Sequence, residues 1–410
     1  MPVINLIKNK AAPSFCTSNQ EVLKMIILYC KRKNLPCLIE STSNQVNQYG
    51  GYSGKTPRKF YKDIKKILKK NNFNLKNFYI GGDHLGPLPW KNKNEKEAIK
   101  NSVNLINKCL DSNYTKIHID TSIKCLSDKT INHSIIFDRT KFILDKSKLK
   151  NNLKKIFLII GTEVPLSGSN EKGKIKITQG EQINLEVKKF KDLLNKLYKG
   201  KLKFGLVVEP GMRFMHNNIL KPNLSNFKKQ KKISKSKNFV FEAHSTDYQP
   251  LNILQNLVRN NFKFLKVGPE LTYNYARSLF FMEKIEKKYN RGDISEIKKN
   301  ILHYMLNNKK YWKDYYTGKK SKVKNLILNS KLDRMRYYLN QKKIILSINK
   351  LRKNINRLNI AKIKKHLFQK ENKIFFKSQL AKNLTNFELI NLIFISKSLN
   401  RYYKACGYKV

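Results

Sequence analysis

The chain has 410 residues, with 85 Lys and Arg against 28 Asp and Glu and a formal net charge of +57. That length allows one large domain with an extension, or two domains, and an apolar fraction of 40% allows a sizeable core. No stretch reaches the roughly 18–20 continuous apolar residues of a membrane span, and residues 1–10 lack the apolar core and cleavage site of a signal peptide, so the expectation is a soluble, cytoplasmic protein with no membrane contact.

The six cysteines, Cys16, Cys30, Cys37, Cys109, Cys125 and Cys406, form no CxxC pair and read as reduced, mostly buried thiols. The charge invites a nucleic-acid reading. However, the Lys residues run from end to end among abundant Asn and Ile, the mixture of an AT-rich genome. No zinc-finger spacing, aromatic RNA-binding pattern or helix-turn-helix accompanies them. Specific nucleic-acid binding is therefore not expected.

In chain order, the first two-thirds alternates short apolar runs with helical patterns. The runs lie at 13–16, 36–40, 78–82, 116–120, 156–161, 204–209, 239–242 and 264–267. Several are almost continuously apolar, as in a parallel sheet buried on both faces. Between them, Phe60, Ile64, Ile67 and Leu68 form a helical stripe, with Thr56 and Pro57 as its start. Ile99, Val103, Ile106 and Leu110 form a second stripe, and Ile183, Val187, Phe190, Leu194 and Leu197 a third. Eight strands alternating with helices over about 270 residues predict an α/β fold, a (β/α)₈ TIM-type barrel. A doubly wound sheet is the alternative, but no Gly-rich dinucleotide fingerprint follows the first strand, and no nucleotide cofactor is expected. The predicted organisation is a barrel over 1–290 and a Lys-rich helical extension over 291–410 packed on it. The extension has helices predicted at 300–311, 332–338 and 384–396, and 344–376 is its least informative part.

Functional groups of such barrels sit at the C-terminal ends of the strands. After strand two comes a polar run containing Glu40, Ser43, Asn44, Gln45 and Asn47 and ending at Gly50-Gly51. Its amides suit sugar hydroxyls, while a loop that merely caps the barrel is the plainer alternative. Strand three ends in Asp83-His84 between glycines, placing a general acid/base beside a metal ligand. On strand four, period-two alternation puts His118 and Asp120 on one face. Strand five ends in Gly161-Thr162-Glu163, strand six in Glu209-Pro210-Gly211, strand seven in Glu242-Ala243-His244-Ser245, and strand eight in Lys266-Val267-Gly268. Three of only seven histidines, His84, His118 and His244, fall at strand ends, each near a carboxylate. Together they indicate a polar ligand site. His84, His244 and Glu163 form a candidate set for a divalent metal such as Zn or Mn. Ser245, Lys266 and Gly268 occupy the place where barrels often hold a phosphate.

The run IESTSNQVNQYGGYSG, followed by GGDHLGP, KIHIDTS, GTEVP, VEPG, EAHSTDYQ, LKVGP and then Asp333-Arg334-Met335-Arg336-Tyr337-Tyr338, resembles the GatZ/KbaZ family over about residues 10–340, with a weak match at the end. The family is described as the non-catalytic subunit of class II D-tagatose-1,6-bisphosphate aldolase. The resemblance implies a barrel related to class II aldolases and a catalytic partner subunit. It also implies an oligomer and a phosphorylated ketohexose substrate in tagatose, galactitol or N-acetylgalactosamine breakdown. Class II aldolases are a more distant likeness. Their strand-three Asp-His pair looks like Asp83-His84 and their strand-seven ligand looks like His244, while their strand-five His falls near Glu163. That departure puts zinc-aldolase activity in question without excluding a His₂Glu metal set.

The first functional expectation is thus an accessory aldolase subunit. The second is an autonomous metal-dependent 4-epimerase or aldolase acting on a ketohexose or its phosphate. In it, a carboxylate such as Asp83, Glu163 or Asp120 removes the C4 hydroxyl proton and the C3–C4 bond breaks by retro-aldol chemistry.

Overall fold

Apolar runs such as Phe157–Gly161 are buried along their whole length, because helices cover one face and the barrel interior the other. The computed structural model describes residues 2–161, 177–198, 202–223, 231, 234, 238–290, 292–367 and 383–410. Eight parallel strands close a barrel: β1 (Ala12–Cys16), β2 (Cys37–Thr42), β3 (Phe78–Leu85), β4 (Lys116–Asp120), β5 (Phe157–Gly161), β6 (Phe204–Val207), β7 (Phe239–Ala243) and β8 (Phe262–Val267). Each pairs with its chain neighbours, and β8 returns to β1. All eight expected strands are present.

The flanking helices are α1 (Gln20–Arg32), α2 (Pro57–Lys70), α3 (Glu95–Leu110), α4 (His133–Lys146), α5 (Gly180–Leu197), α6 (Leu251–Arg259) and α7 (Pro269–Tyr289). The start expected for α2 is the one observed: the Thr56 side chain accepts from the Lys59 amide, and Pro57 opens the first turn. Beyond the barrel follow α8 (Ile297–Asn307), α9 (Lys320–Asn329), α10 (Lys342–Arg357), α11 (Ile360–His366) and α12 (Asn386–Ala405). The helix expected at 300–311 stops at Asn307, and the Trp312 indole N–H turns back to donate to the Met305 carbonyl (2.6 Å). At 332–338 only a 3₁₀ turn, Arg334–Tyr337, forms, because Asp333 holds a left-handed φ of 46° that a regular helix does not accept. α12 runs past its expected end at 396 and starts on a capping box between Thr385 and Glu388. It lies against α1, α6 and α7, where the Tyr402 hydroxyl donates to the Thr246 carbonyl (2.7 Å) and the Tyr403 hydroxyl to the Pro36 carbonyl (2.6 Å). Among the described residues no helix is long and apolar enough to cross a membrane. All six cysteines are free thiols, and only Cys16 is not fully buried.

The barrel interior is layered. At the strand starts Ala12, Leu38, Phe157, Val240 and Phe264 pack with Val3, Leu6 and Ile7 at the N-terminus into an apolar floor. One step up, the interior is ionic: Glu40, Lys116 and Glu242 are each 0% exposed. Lys116 Nζ lies 2.7 Å from Glu40 and 2.5 Å from Glu242. The mouth stands above this layer.

Candidate active site at the barrel mouth

Residues adjacent in a regular strand face opposite sides, so Asp83 and His84 cannot both face the mouth of an ideal β3. The strand solves this with a bulge. Gly82 pairs with Ile117 but Leu85 with Ile119, so three residue steps on β3 oppose two on β4. His84 absorbs the extra residue at a left-handed φ of 47°.

The three imidazoles then share one arrangement. His84 Nδ1 lies 2.8 Å from Asp120, His118 Nδ1 2.8 Å from Asp83, and His244 Nε2 2.9 Å from Glu242. Each ring sets one nitrogen against a carboxylate, and the His84 backbone N–H also reaches His118 Nδ1 (3.2 Å). Where the carboxylate-facing nitrogen carries the proton, the other is left to bind a metal. Outer carboxylates hold metal-binding histidines in this tautomer in the same way. The rings lie 4.8–5.1 Å apart, and donor atoms of Asp83, His84, His118 and His244 all fall within 4.8 Å of one another. Among the described residues, His118 Nε2 is buried and has no hydrogen-bond partner. Three imidazoles oriented by carboxylates around one point, one of them with an orphaned buried nitrogen, fit a divalent metal.

Charge at the site is strongly tuned. Burial alone would raise the Asp83 carboxyl, but His84, Lys266 and His118 outweigh it and hold it well below the usual range. Burial likewise opposes ionised Asp120, yet the hydrogen bond and charge of His84 bring it down to about 2. Burial lowers His84, and Asp83 and Asp120 more than reverse this. For His244 burial wins, lowering it to about 3 and keeping the ring neutral, as a metal ligand must be. Lys266, 2.7 Å from Asp83 and also paired with Glu40, is held protonated well above its ordinary range because those carboxylates outweigh its burial.

A cavity of about 610 Å³ opens over this cluster, a volume suited to a small polar ligand. Of the residues expected to bind substrate, Asn44, Gln45, Asn47, Ser245, Lys266 and Gly268 line it, together with Asp83, His84, Asp120 and His244. Glu40, Ser43 and His118 do not: each is 0% exposed and lies below the lining. Glu40 is committed to Lys116 and Lys266, and His118 to Asp83. The Asn47 amide is spent inside its own loop. It donates to the Ser43 carbonyl (2.9 Å) and accepts from the Tyr49 and Gly51 amides. Glu163 lies outside the described residues.

The expected phosphate position after strands seven and eight is already filled from within. Asp247 accepts from the Gly268 and Glu270 amides (3.0 and 2.9 Å) at the start of α7, where a phosphate would sit. Residues to which the sequence alone gives no role also line the cavity: Cys16, Tyr52 and, from the chain beyond the barrel, Lys310, Tyr311, Tyr315, Arg334, Arg336 and Tyr337.

A family model described as D-tagatose-1,6-bisphosphate aldolase subunit GatZ/KbaZ-like matches residues 6–407. The chain belongs to the GatZ/KbaZ-like family. The D-tagatose-1,6-bisphosphate aldolase subunit GatZ of Salmonella paratyphi B is 32% identical over 366 residues, which are 85% of this chain and 84% of that protein. The GatZ subunit of Klebsiella pneumoniae is 30% identical over 355 residues, 83% of each. A crystal structure described as a probable tagatose 6 phosphate kinase from Sinorhizobium meliloti 1021 superposes with a TM-score of 0.83 at 26% identity, covering 97% of this chain and 100% of that one. At that coverage the likeness of this GatZ/KbaZ-like chain runs on through the helices after the barrel.

One titration follows from the mouth's outer wall. Burial pushes the Asp333 carboxyl from 3.8 up to about 7, against the pull of Arg336, the Thr272 hydroxyl, Arg277 and Arg334. A raised folded-state value stabilises the fold fully below about 3.8 and loses that stabilisation as pH rises through about 7. Urea unfolding is expected to show roughly 1 kcal/mol less stability from this group at pH 8 than at pH 6. Asp333→Asn keeps a residue that tolerates left-handed φ and should flatten this slope. An unchanged slope in that variant rules out Asp333 as its source.

Proposed function

We infer that the chain is the accessory subunit of a class II D-tagatose-1,6-bisphosphate aldolase, acting beside a catalytic subunit in cytoplasmic carbohydrate catabolism, and that its own barrel mouth holds a divalent metal and a phosphorylated ketohexose. What carries the subunit reading is the 32% identity to a GatZ subunit through 85% of the chain. The three imidazole–carboxylate pairs support a working mouth.

Zn²⁺ or Mn²⁺ bound by these imidazoles supplies Lewis-acid polarisation of a ligand oxygen. Asp83 is ionised, lines the cavity and is the group placed to take a proton from a ligand hydroxyl. Lys266 steadies that carboxylate and brings positive charge to the cavity wall. Asp120 lines the cavity beside Asp83 and orients His84 through a 2.8 Å hydrogen bond. The same geometry supports a second reading, turnover by the isolated chain as a 4-epimerase or aldolase. In its first step the C4 hydroxyl proton passes to Asp83, C4 becomes the aldehyde carbon of the released fragment, and the electron pair of the C3–C4 bond is taken up as the C2–C3 enediolate.

The purified chain is to be incubated with tagatose-1,6-bisphosphate and with fructose-6-phosphate, with and without Mn²⁺ or Zn²⁺, alone and beside a catalytic class II subunit. The accessory reading expects no turnover alone and a more active or longer-lived catalytic subunit in the mixture. Metal-dependent turnover by the isolated chain overturns it in favour of the second. His84→Ala and His244→Ala are expected to weaken Mn²⁺ binding by about 100-fold or more, and Glu242→Gln by about tenfold. Unchanged metal content in both His variants rules out the proposed metal site.

A further inference from the structure

The motif Asp333–Tyr338 lies outside the barrel, yet two of its side chains, Arg334 and Arg336, line the same cavity as His84 and Lys266. Arg334 is only 6% exposed. A guanidinium is costly to bury unless a carboxylate partners it. Among the described residues no carboxylate stands within ion-pair distance (4.0 Å) of Arg334 or Arg336. Both are instead held by neutral groups. Arg334 lies 3.5 Å from the Tyr315 ring centroid and 4.8 Å from that of Tyr337, and its Nε donates to the Tyr311 carbonyl (2.6 Å). Arg336 lies 4.6 Å from the Tyr337 ring and donates to the Leu332 and Asp333 carbonyls (2.7 Å each). Tyr337 stacks on Tyr311 at 4.7 Å and 11°, and Tyr52 from the β2 loop closes on Tyr337 at 4.6 Å. Stacked guanidiniums of this kind are fixed in orientation before any ligand arrives. Lys310 and Lys91 add exposed positive charge to the same cavity, and Asp314 is its exposed carboxylate on this side. Opposite them, the amides at the start of α7 are closed to an external anion by Asp247.

We propose that Arg334 and Arg336 form an anion pocket, built by the chain beyond the barrel, that receives the phosphoryl group of a phosphorylated ketose while the sugar end faces the His84–His244 cluster. A buried guanidinium (Arg334) and a half-buried one (Arg336), held by aromatic and carbonyl partners and feeling the Asp333 and Asp247 charges only from beyond ion-pair distance, are satisfied by a ligand that brings its own negative oxygens. The chain after β8 thereby gains a chemical role, because it completes the cavity. The assignment rests on the reading that the mouth takes a sugar phosphate, and the test lets the two fail separately.

The full chain, wild type and with Arg334→Gln or Arg336→Gln, is to be titrated calorimetrically with fructose-6-phosphate, with fructose and with inorganic phosphate, and separately with Mn²⁺. The wild type is expected to bind the phosphate ester at least about tenfold more tightly than fructose, and each variant to lose most of that margin. Mn²⁺ affinity should be unchanged in both. Inorganic phosphate should compete with the ester in the wild type and not with fructose. That competition tests the pocket even where a glutamine variant does not fold. A wild type without the margin, variants that keep it, or phosphate that fails to compete each overturn the proposal. An Arg-dependent margin in a chain that binds no Mn²⁺ upholds the anion pocket and removes the metal reading.

Discussion

Replacing Lys116 by Met is expected to cost roughly 3–5 kcal/mol of folding free energy, the cost of removing one member from a buried ionic cluster. Lys116 is 0% exposed at the centre of the barrel, with Glu40 at 2.7 Å, Glu242 at 2.5 Å and the Phe264 ring 4.9 Å away. Its contacts are ion pairs whose angles miss hydrogen-bond geometry, so charge neutralisation is its main contribution. Met fills the volume but leaves two carboxylates sharing fewer cations. Glu40 keeps its ion pair with Lys266, while Glu242 keeps the hydrogen bond to the neutral ring of His244 and the more distant charge of Lys266. Unfolding in urea measures the loss. Adding Glu242→Gln to Lys116→Met should restore part of it, because one stranded charge is then gone. A single variant that loses less than about 1 kcal/mol would show that the cluster is not what holds this layer together.

That cluster also explains how the mouth is aimed. Glu242 fixes His244 and Glu40 fixes Lys266, and Lys116 bridges the two carboxylates across the barrel. The β4 sequence Lys116-Ile117-His118-Ile119-Asp120 contains this whole column. Period-two alternation puts all three polar residues inward, and they occupy the centre, the underside and the edge of the site. His118 and Asp120 were legible on that ground, and Lys116 was equally legible. It was hidden by a composition in which Lys is everywhere.

The fold was largely readable because a barrel interior and a helical shell each force continuous apolar runs, and these survive the Lys-rich surface. The site was readable to the extent that strand ends carry it: Asp83, His84, Asp120, His244 and Lys266 all reach the cavity. Two things were not local. The facing of Asp83 and His84 depends on a bulge set by pairing with β4, which no alternation rule reveals. The roles of Glu40 and Asn47 depended on partners far away or on loop closure, so polar residues that look ready for sugar are already satisfied. The outer wall was less legible still. Arg334 and Arg336 lie about 70 residues past β8 in the sequence, and only the packing of the later helices brings them over the mouth.

The bulge has a cost that one substitution exposes. Just after it, Gly86 packs its α-carbon against β4, where an added methyl would sit 1.6 Å from the Asp120 carbonyl oxygen and 2.7 Å from its carbon. The obstacle is backbone in a paired strand, so no side-chain rotation relieves it. Gly86→Ala must therefore push the end of β4 away from the β3 loop, at an expected cost of about 3 kcal/mol or more, at the upper end of overpacking effects. Asp120 holds His84 through a 2.8 Å hydrogen bond, so the displacement reaches the metal donors directly. A shift of about 1 Å at such a group is expected to weaken metal binding or turnover by about 100-fold. Gly180 is the control: it begins α5 and, among the described residues, has no atom within 4 Å of an added methyl. Gly180→Ala should leave both readouts unchanged or add a few tenths of a kcal/mol by restricting the unfolded chain. Thermal unfolding and Mn²⁺ titration of the two variants give the comparison. A Gly86→Ala protein with wild-type stability and metal affinity would mean that the β3–β4 junction is not the rigid frame that sets Asp83 and His84 side by side.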